Sequence, residues 1–87
     1  MNLCEALAQG KKESKAIRRE EWAINLAWYH GMDNAVCWYN SDPNSEFIHK
    51  TGQEVKFAIA DFWYDDYVLH SEINYHGDLG KFLHKEK

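Results

Sequence analysis

A chain of 87 residues, 45% apolar and 15% aromatic with a single proline, carries enough hydrophobic material for one folded core, which excludes a disordered chain and a multidomain one. Its formal charge of −4 excludes a general nucleic-acid binder, because such proteins draw most of their affinity from phosphate neutralisation. No apolar run approaches membrane length, the first residues lack a signal-type apolar stretch, and Cys4 and Cys37 form no CxxC pair, so the expected setting is a reducing cytoplasm without a disulfide framework.

Asn2, followed three positions later by Glu5, has the form of a capping box, and Leu3, Ala6 and Leu7 mark one apolar helical stripe. This predicts a short first helix closed by Gly10, with the polar "KKES" as a loop. The next segment, "AIRREEW", alternates as a strand with Ala16, Arg18, Glu20 and Trp22 on one side, so Arg18 and Trp22 are expected to share a face. In "INLAWYH" Ile24, Leu26 and Trp28 fall together, and in "AVCWY" Ala35, Cys37 and Tyr39 oppose Val36 and Trp38. The "GMDN" between them is turn chemistry, which predicts a β-hairpin. "NSDPNS" reads as a loop, with Phe47–His49 and Glu54–Phe57 as two more short strands about "KTGQ".

The stretch "DFWYDDYVLH" sets three carboxylates among four large aromatics. Asp61 is expected to cap a single helical turn running through Asp65, and Phe62, Trp63, Tyr67 and Leu69 to act as anchoring apolar groups. "YVLHSEI" then alternates Tyr67, Leu69, Ser71 and Ile73 against Val68, His70 and Glu72. In the tail, Leu79, Phe82 and Leu83 have helical spacing, which fits either a short docked helix or a frayed end. The predicted architecture is α+β: a short N-terminal helix on a small twisted antiparallel sheet, and one helical turn before the last strand. Residues 1–75 form one compact domain and 76–87 a C-terminal tail.

The chemistry-bearing residues favour binding over catalysis. The five histidines show no HxxxH spacing and join no cysteine cluster of zinc-site form, so neither a metal nor another cofactor is expected. There is no nucleophile elbow, and Cys37 sits in an apolar strand where a thiol behaves as a small hydrophobe. Asp65 and Asp66 are adjacent and point apart, which suits a scaffold better than an acid–base pair. Charge is segregated, with Lys11, Lys12, Lys15, Arg18 and Arg19 early and Glu54, Asp61, Asp65, Asp66 and Glu72 late. The cationic patch suits a small anionic ligand, or else is a solvated face that pairs within the sheet or between subunits. Arg18 and Trp22, with Trp28 or Trp38 from the hairpin, offer a guanidinium for phosphate and indole faces for a base. Stacking is worth about 1–3 kcal/mol per base, enough for two such contacts and an arginine to hold a nucleotide without a catalytic group. With four tryptophans, five tyrosines and four phenylalanines in so small a chain, some rings are expected at an interface or ligand surface.

The order of "MNLCEALAQGKKESKAIRREEW" and "KTGQEVKF…DFWYDDYVL" resembles the small phage domain of the Thoeris anti-defence protein 2 family, which has relatives among type II-A anti-CRISPR proteins. Members open with an MNF-x-EAL helix, a GKK turn and an RR-x-G-W strand, and close with a KT-x-DG hairpin and a DLLAEDW-x-V ending. Met1, Asn2, Glu5, Ala6, Leu7, Gly10, Lys11, Lys12, Arg18, Arg19 and Trp22 fit the opening; Lys50, Thr51, Asp61, Asp66 and Val68 fit the ending, with Tyr67 in place of the usual tryptophan. Glu21 stands where the family has glycine, "ESKA" is inserted before the strand, and "AIA" replaces the Ser/Thr cap of the last helical turn.

The resemblance covers residues 1–22 and 50–69. It implies a non-enzymatic, homo-oligomeric protein of the host cytoplasm that sequesters a cyclic nucleotide or ADP-ribose-derived immune signal without cleaving it. In that reading Arg18 or Arg19 meets phosphate, Trp22 stacks on a base with Trp38 as a second indole face, and Asn25 or an acid such as Asp61 or Asp66 reads ribose hydroxyls. The alternative is a protein–protein inhibitor of a host defence effector, such as a CRISPR or restriction nuclease, acting through an acidic aromatic surface.

Overall fold

The capping box forms at the start of the chain: Asn2 Oδ1 accepts from the Glu5 amide at 2.9 Å, and Glu5 Oε1 accepts from the Asn2 amide at 3.0 Å. The computed structural model describes residues 1–31, 33–41 and 50–73. The helix so nucleated, α1 (Leu3–Glu13), runs past Gly10 and ends at Ser14, whose left-handed backbone (φ 56°, ψ 46°) turns its amide to the carbonyls of Gly10 and Lys11. Lys11–Glu13 are therefore helical rather than a loop. Gly10 serves a close approach instead of a stop, since a Cβ there would lie 2.7 Å from the Lys15 carbonyl oxygen and 3.1 Å from Ile17 Cγ2.

Three strands follow, β1 (Lys15–Arg19), β2 (Leu26–His30) and β3 (Val36–Asn40), then the one-turn α2 (Ile59–Trp63) and β4 (Tyr67–Glu72). They form one antiparallel sheet in the order β3-β2-β1-β4, an α+β fold as expected. The hairpin of β2 and β3 pairs Trp28 with Trp38 and Tyr29 with Cys37. Its turn is closed by the Gly31 amide on the Ala35 carbonyl at 2.6 Å, with Asn34 at φ 69°. Ile24 does not join Leu26 and Trp28; it stands in the preceding turn and is 70% exposed. The expected strand at Glu54–Phe57 is reduced to a single bridge, Glu54 to Cys37, on the outer edge of β3. Phe47–His49 and the tail lie outside the described residues.

On the other edge, Ile17 pairs with Leu69 but Lys15 pairs with Glu72, so Ala16 faces both His70 and Ser71. This bulge reverses the alternation beyond it. Ile73, expected beside Tyr67 and Leu69, packs instead with Ala16 on the opposite face. The two faces are chemically distinct. One carries Leu3 and Ala6 of α1 with Ile17, Trp28, Val55 and Tyr67; the other carries Ala16, Ala27, Tyr29, Cys37 and Tyr39. Leu3 and Ile17, each 1% exposed, contribute about 1.5–3 kcal/mol apiece by burial and fix α1 over β1. Among the described residues no helix is long and apolar enough to cross a membrane.

Candidate functional site

Antiparallel pairing places the ends of β1 and β3 beside the starts of β2 and β4, and this end of the sheet gathers the residues singled out from the sequence. Strand β1 stops at Arg19, so Trp22 is not on it and does not share a face with Arg18. The Trp22 ring turns into the α1 side of the sheet, packing 4.7 Å from Trp28, 5.9 Å from Trp38 and 6.3 Å from Tyr67, centroid to centroid. Arg18 follows Ala16 to the other face, yet its guanidinium donates to the carbonyls of Glu20 at 3.1 Å and Trp22 at 2.6 Å, pinning the turn that presents the indole. The two residues thus meet through backbone.

The paired arginines divide sharply. Arg19 is bidentate to Asp66, at 2.8 and 3.1 Å, reaches Glu21 at 2.6 Å and lies 3.3 Å over the Tyr64 ring. Its hydrogen bonds hold the Asp66 carboxyl below the usual carboxylate range, and Asp66 in turn raises the guanidinium. Asp66 is therefore a fixed anion facing the "IRR" segment within its own chain. Arg18 has no carboxylate partner among the described residues, and its Nε is buried without a hydrogen bond.

Trp22 and Trp38 are both half-buried, inclined at 37°, and form the open rim of an aromatic cluster whose floor is Trp28. The Lys50 ammonium stands 4.9 Å over the Trp38 ring. Asn25 Nδ2 donates to Asn40 Oδ1 at 3.0 Å, tying the turn before β2 to the end of β3, and Thr51 Oγ1 accepts from the Asn40 amide at 3.2 Å. Asp61 does cap α2, but from inside it: its carboxylate accepts from the Ala58 amide at 2.8 Å, and its carbonyl accepts from the Tyr67 hydroxyl at 2.7 Å. The helical turn accordingly spans Ile59–Trp63 instead of starting at Asp61.

Phe62 and Trp63, expected as anchors, are 50% and 80% exposed, with Phe57, Ile59 and Tyr64 exposed beside them. Apolar character alone assigns these residues to the core, and so does not reveal this surface in the sequence. A one-turn helix cannot turn all of them inward, and that was the available signal. At the opposite end of the sheet lies a cleft of about 180 Å³ bordered by Lys11, Lys15, His30 and Ile73, also unforeseen. It is smaller than the ~300 Å³ lower bound of ordinary small-molecule sites, and Lys15 already pairs with Glu13 at 3.6 Å.

Burial shifts the proton affinity of two groups in the sheet. Burial pushes the Cys37 thiol up, away from the thiolate that attacks. Burial, then the charge of Arg18, pushes the His70 imidazole down. Among the described residues no three histidines, cysteines or acids gather closely enough to hold a metal ion. Comparison with protein-family models, with curated proteins and with solved structures returns no match for the chain.

Proposed function

We propose that this protein is a phage-encoded, non-enzymatic anti-defence factor that sequesters a cyclic nucleotide or ADP-ribose-derived signal in the host cytoplasm. The observation that carries the reading is the rim of Trp22 and Trp38, two half-buried indoles 5.9 Å apart with a lysine ammonium over one of them. Such a rim suits a planar base joined to an anionic group. Of the two arginines, Arg19 is committed to Asp66, Glu21 and Tyr64, and Arg18 follows the opposite face of the sheet with its guanidinium on the Glu20 and Trp22 carbonyls, so the cation beside the rim is Lys50. Asn25 stands at the same end with its amide oriented by Asn40. Homo-oligomerisation belongs to the same reading. Binding is tested by titrating ADP-ribose, cyclic ADP-ribose and cyclic dinucleotides while following the indole N–H signals. Saturable shifts at Trp22 and Trp38 support the reading, and an unchanged spectrum with every ligand removes it.

A second reading, inhibition of a host defence effector by direct contact, is favoured by the exposed aromatic stretch around α2 within a chain of net negative charge. A stoichiometric protein partner that survives moderate salt, with no small molecule bound, would replace the first reading by this one.

A further inference from the structure

The segment from Phe57 to Tyr64 exposes five large apolar side chains within eight positions: Phe57 at 37%, Ile59 at 72%, Phe62 at 50%, Trp63 at 80% and Tyr64 at 38%. α2 has no buried residue at all. A helical turn contributing so little to the core is normally loose, but this one is tied down along its inner side. Asp61 caps it, the Tyr67 hydroxyl grips the Asp61 carbonyl, and Phe57 packs 5.3 Å from Trp28 and 5.5 Å from Phe62. Below it, Arg19 stacks on Tyr64 while locked to Asp66. Exposed aromatics on an immobilised support are the arrangement that gives hot spots, because little side-chain entropy is lost on contact.

The charge around this ridge decides what it fits. Asp61, Asp65, Asp66, Glu20 and Glu21 belong to the same end of the molecule and outnumber its cations: Arg19, which pairs with Asp66 and Glu21, the N-terminal ammonium, which donates to the Asp65 carbonyl, and Lys56 beside Phe57. A twofold contact between two copies of the ridge would set these acids against their own images. We infer that the ridge of Ile59, Phe62 and Trp63 is a docking surface for a protein partner that presents an amphipathic helix, its apolar face flanked by arginine or lysine. This rests on the second reading, direct contact with a protein, whose partner chemistry it names, and stands without the nucleotide one.

Two synthetic amphipathic helical peptides test it, sharing one leucine face and differing only in lysine/arginine or glutamate on the polar face. The cationic peptide is expected to bind and shift the Trp63 indole N–H signal, the acidic one to leave it in place. Trp63→Ser is expected to weaken binding by about tenfold or more with an unchanged melting curve, and about 0.5 M salt to weaken it further. Equal binding of both peptides, binding of neither, or full affinity in Trp63→Ser overturns the inference. So does a dimer that Trp63→Ser converts to monomer, or uptake by neutral phosphatidylcholine vesicles that Trp63→Ser abolishes, since these assign the ridge to a second copy or to a lipid surface.

Discussion

Gly10→Ala separates a helix rule from a packing rule at one position. In an unobstructed helix interior the change stabilises by about 1 kcal/mol, because glycine loses more backbone freedom than alanine. Here the added methyl would stand 2.7 Å from the Lys15 carbonyl oxygen and 3.1 Å from Ile17 Cγ2. The first is backbone of the central strand, held in pairing with β4, so it cannot swing aside as a flexible side chain does. Overpacking of this kind costs about 1–3 kcal/mol, and α1 must lift from β1 to relieve it. A 2.7 Å approach to fixed backbone belongs to the upper part of that range, about 2–3 kcal/mol, so the net expectation is destabilisation of about 1–2 kcal/mol, which lowers Tm by roughly 4–16 °C in a domain of this size. Thermal and urea denaturation followed by circular dichroism measure it. A variant as stable as the parent, or more stable, would refute the seating of α1 on β1.

Three further outcomes follow from individual contacts. Ser14→Gly should stabilise by about 0.5–1 kcal/mol, since the left-handed cap at φ 56° strains any residue with a Cβ; an unchanged denaturation midpoint would contradict the cap geometry. Burial, then the nearby Asp61 charge, pushes the Tyr67 hydroxyl up to about 12 from its ordinary 10.0. Its contribution is thus fully present below pH 10 and lost as pH rises through 12; the two-unit shift corresponds to roughly 3 kcal/mol. Tyr67→Phe should flatten that alkaline limb while losing about 1 kcal/mol at neutral pH from the hydrogen bond to Asp61. For Asp66 the sign is opposite. Its carboxyl is depressed below its ordinary 3.8 by Arg19, so its contribution is present above that value and fades as pH falls below it. Arg19→Lys, which loses the fork and the stack on Tyr64, should lower stability at neutral pH and shrink the acid limb; an acid limb of unchanged depth would show that another carboxylate sets it.

Much of the architecture was legible because its signals are local. The Asn2–Glu5 box, the alternation of Ala35, Cys37 and Tyr39 against Val36 and Trp38, and the turn between β2 and β3 each need only a few neighbouring residues to specify them. What escaped depends on the third dimension. Gly10 looks like a helix stop in sequence, but its reason is a carbonyl five residues on that returns over it. The reversal of Ile73 comes from the bulge at Ala16, and Trp22 lies beyond the end of β1, in a turn that Arg18 bonds. Of the candidate site, the nearness of Arg18, Trp22 and Asn25 follows from their positions in the chain, but the face each side chain takes does not. The bond between Arg19 and Asp66, 47 positions apart, was not. The exposure of Trp63 was the largest surprise, because a ring of that size is assigned to the core by default.

The most direct test of a non-catalytic nucleotide binder is recovery. The protein is mixed with an equimolar panel of ADP-ribose, cyclic ADP-ribose and cyclic dinucleotides, filtered, then heat-denatured, and both fractions are analysed by mass spectrometry. One class is expected to vanish from the filtrate and return chemically intact after heating, with Trp38→Ala leaving it in the filtrate. A filtrate undepleted of every ligand, or release of a cleaved product, would contradict it.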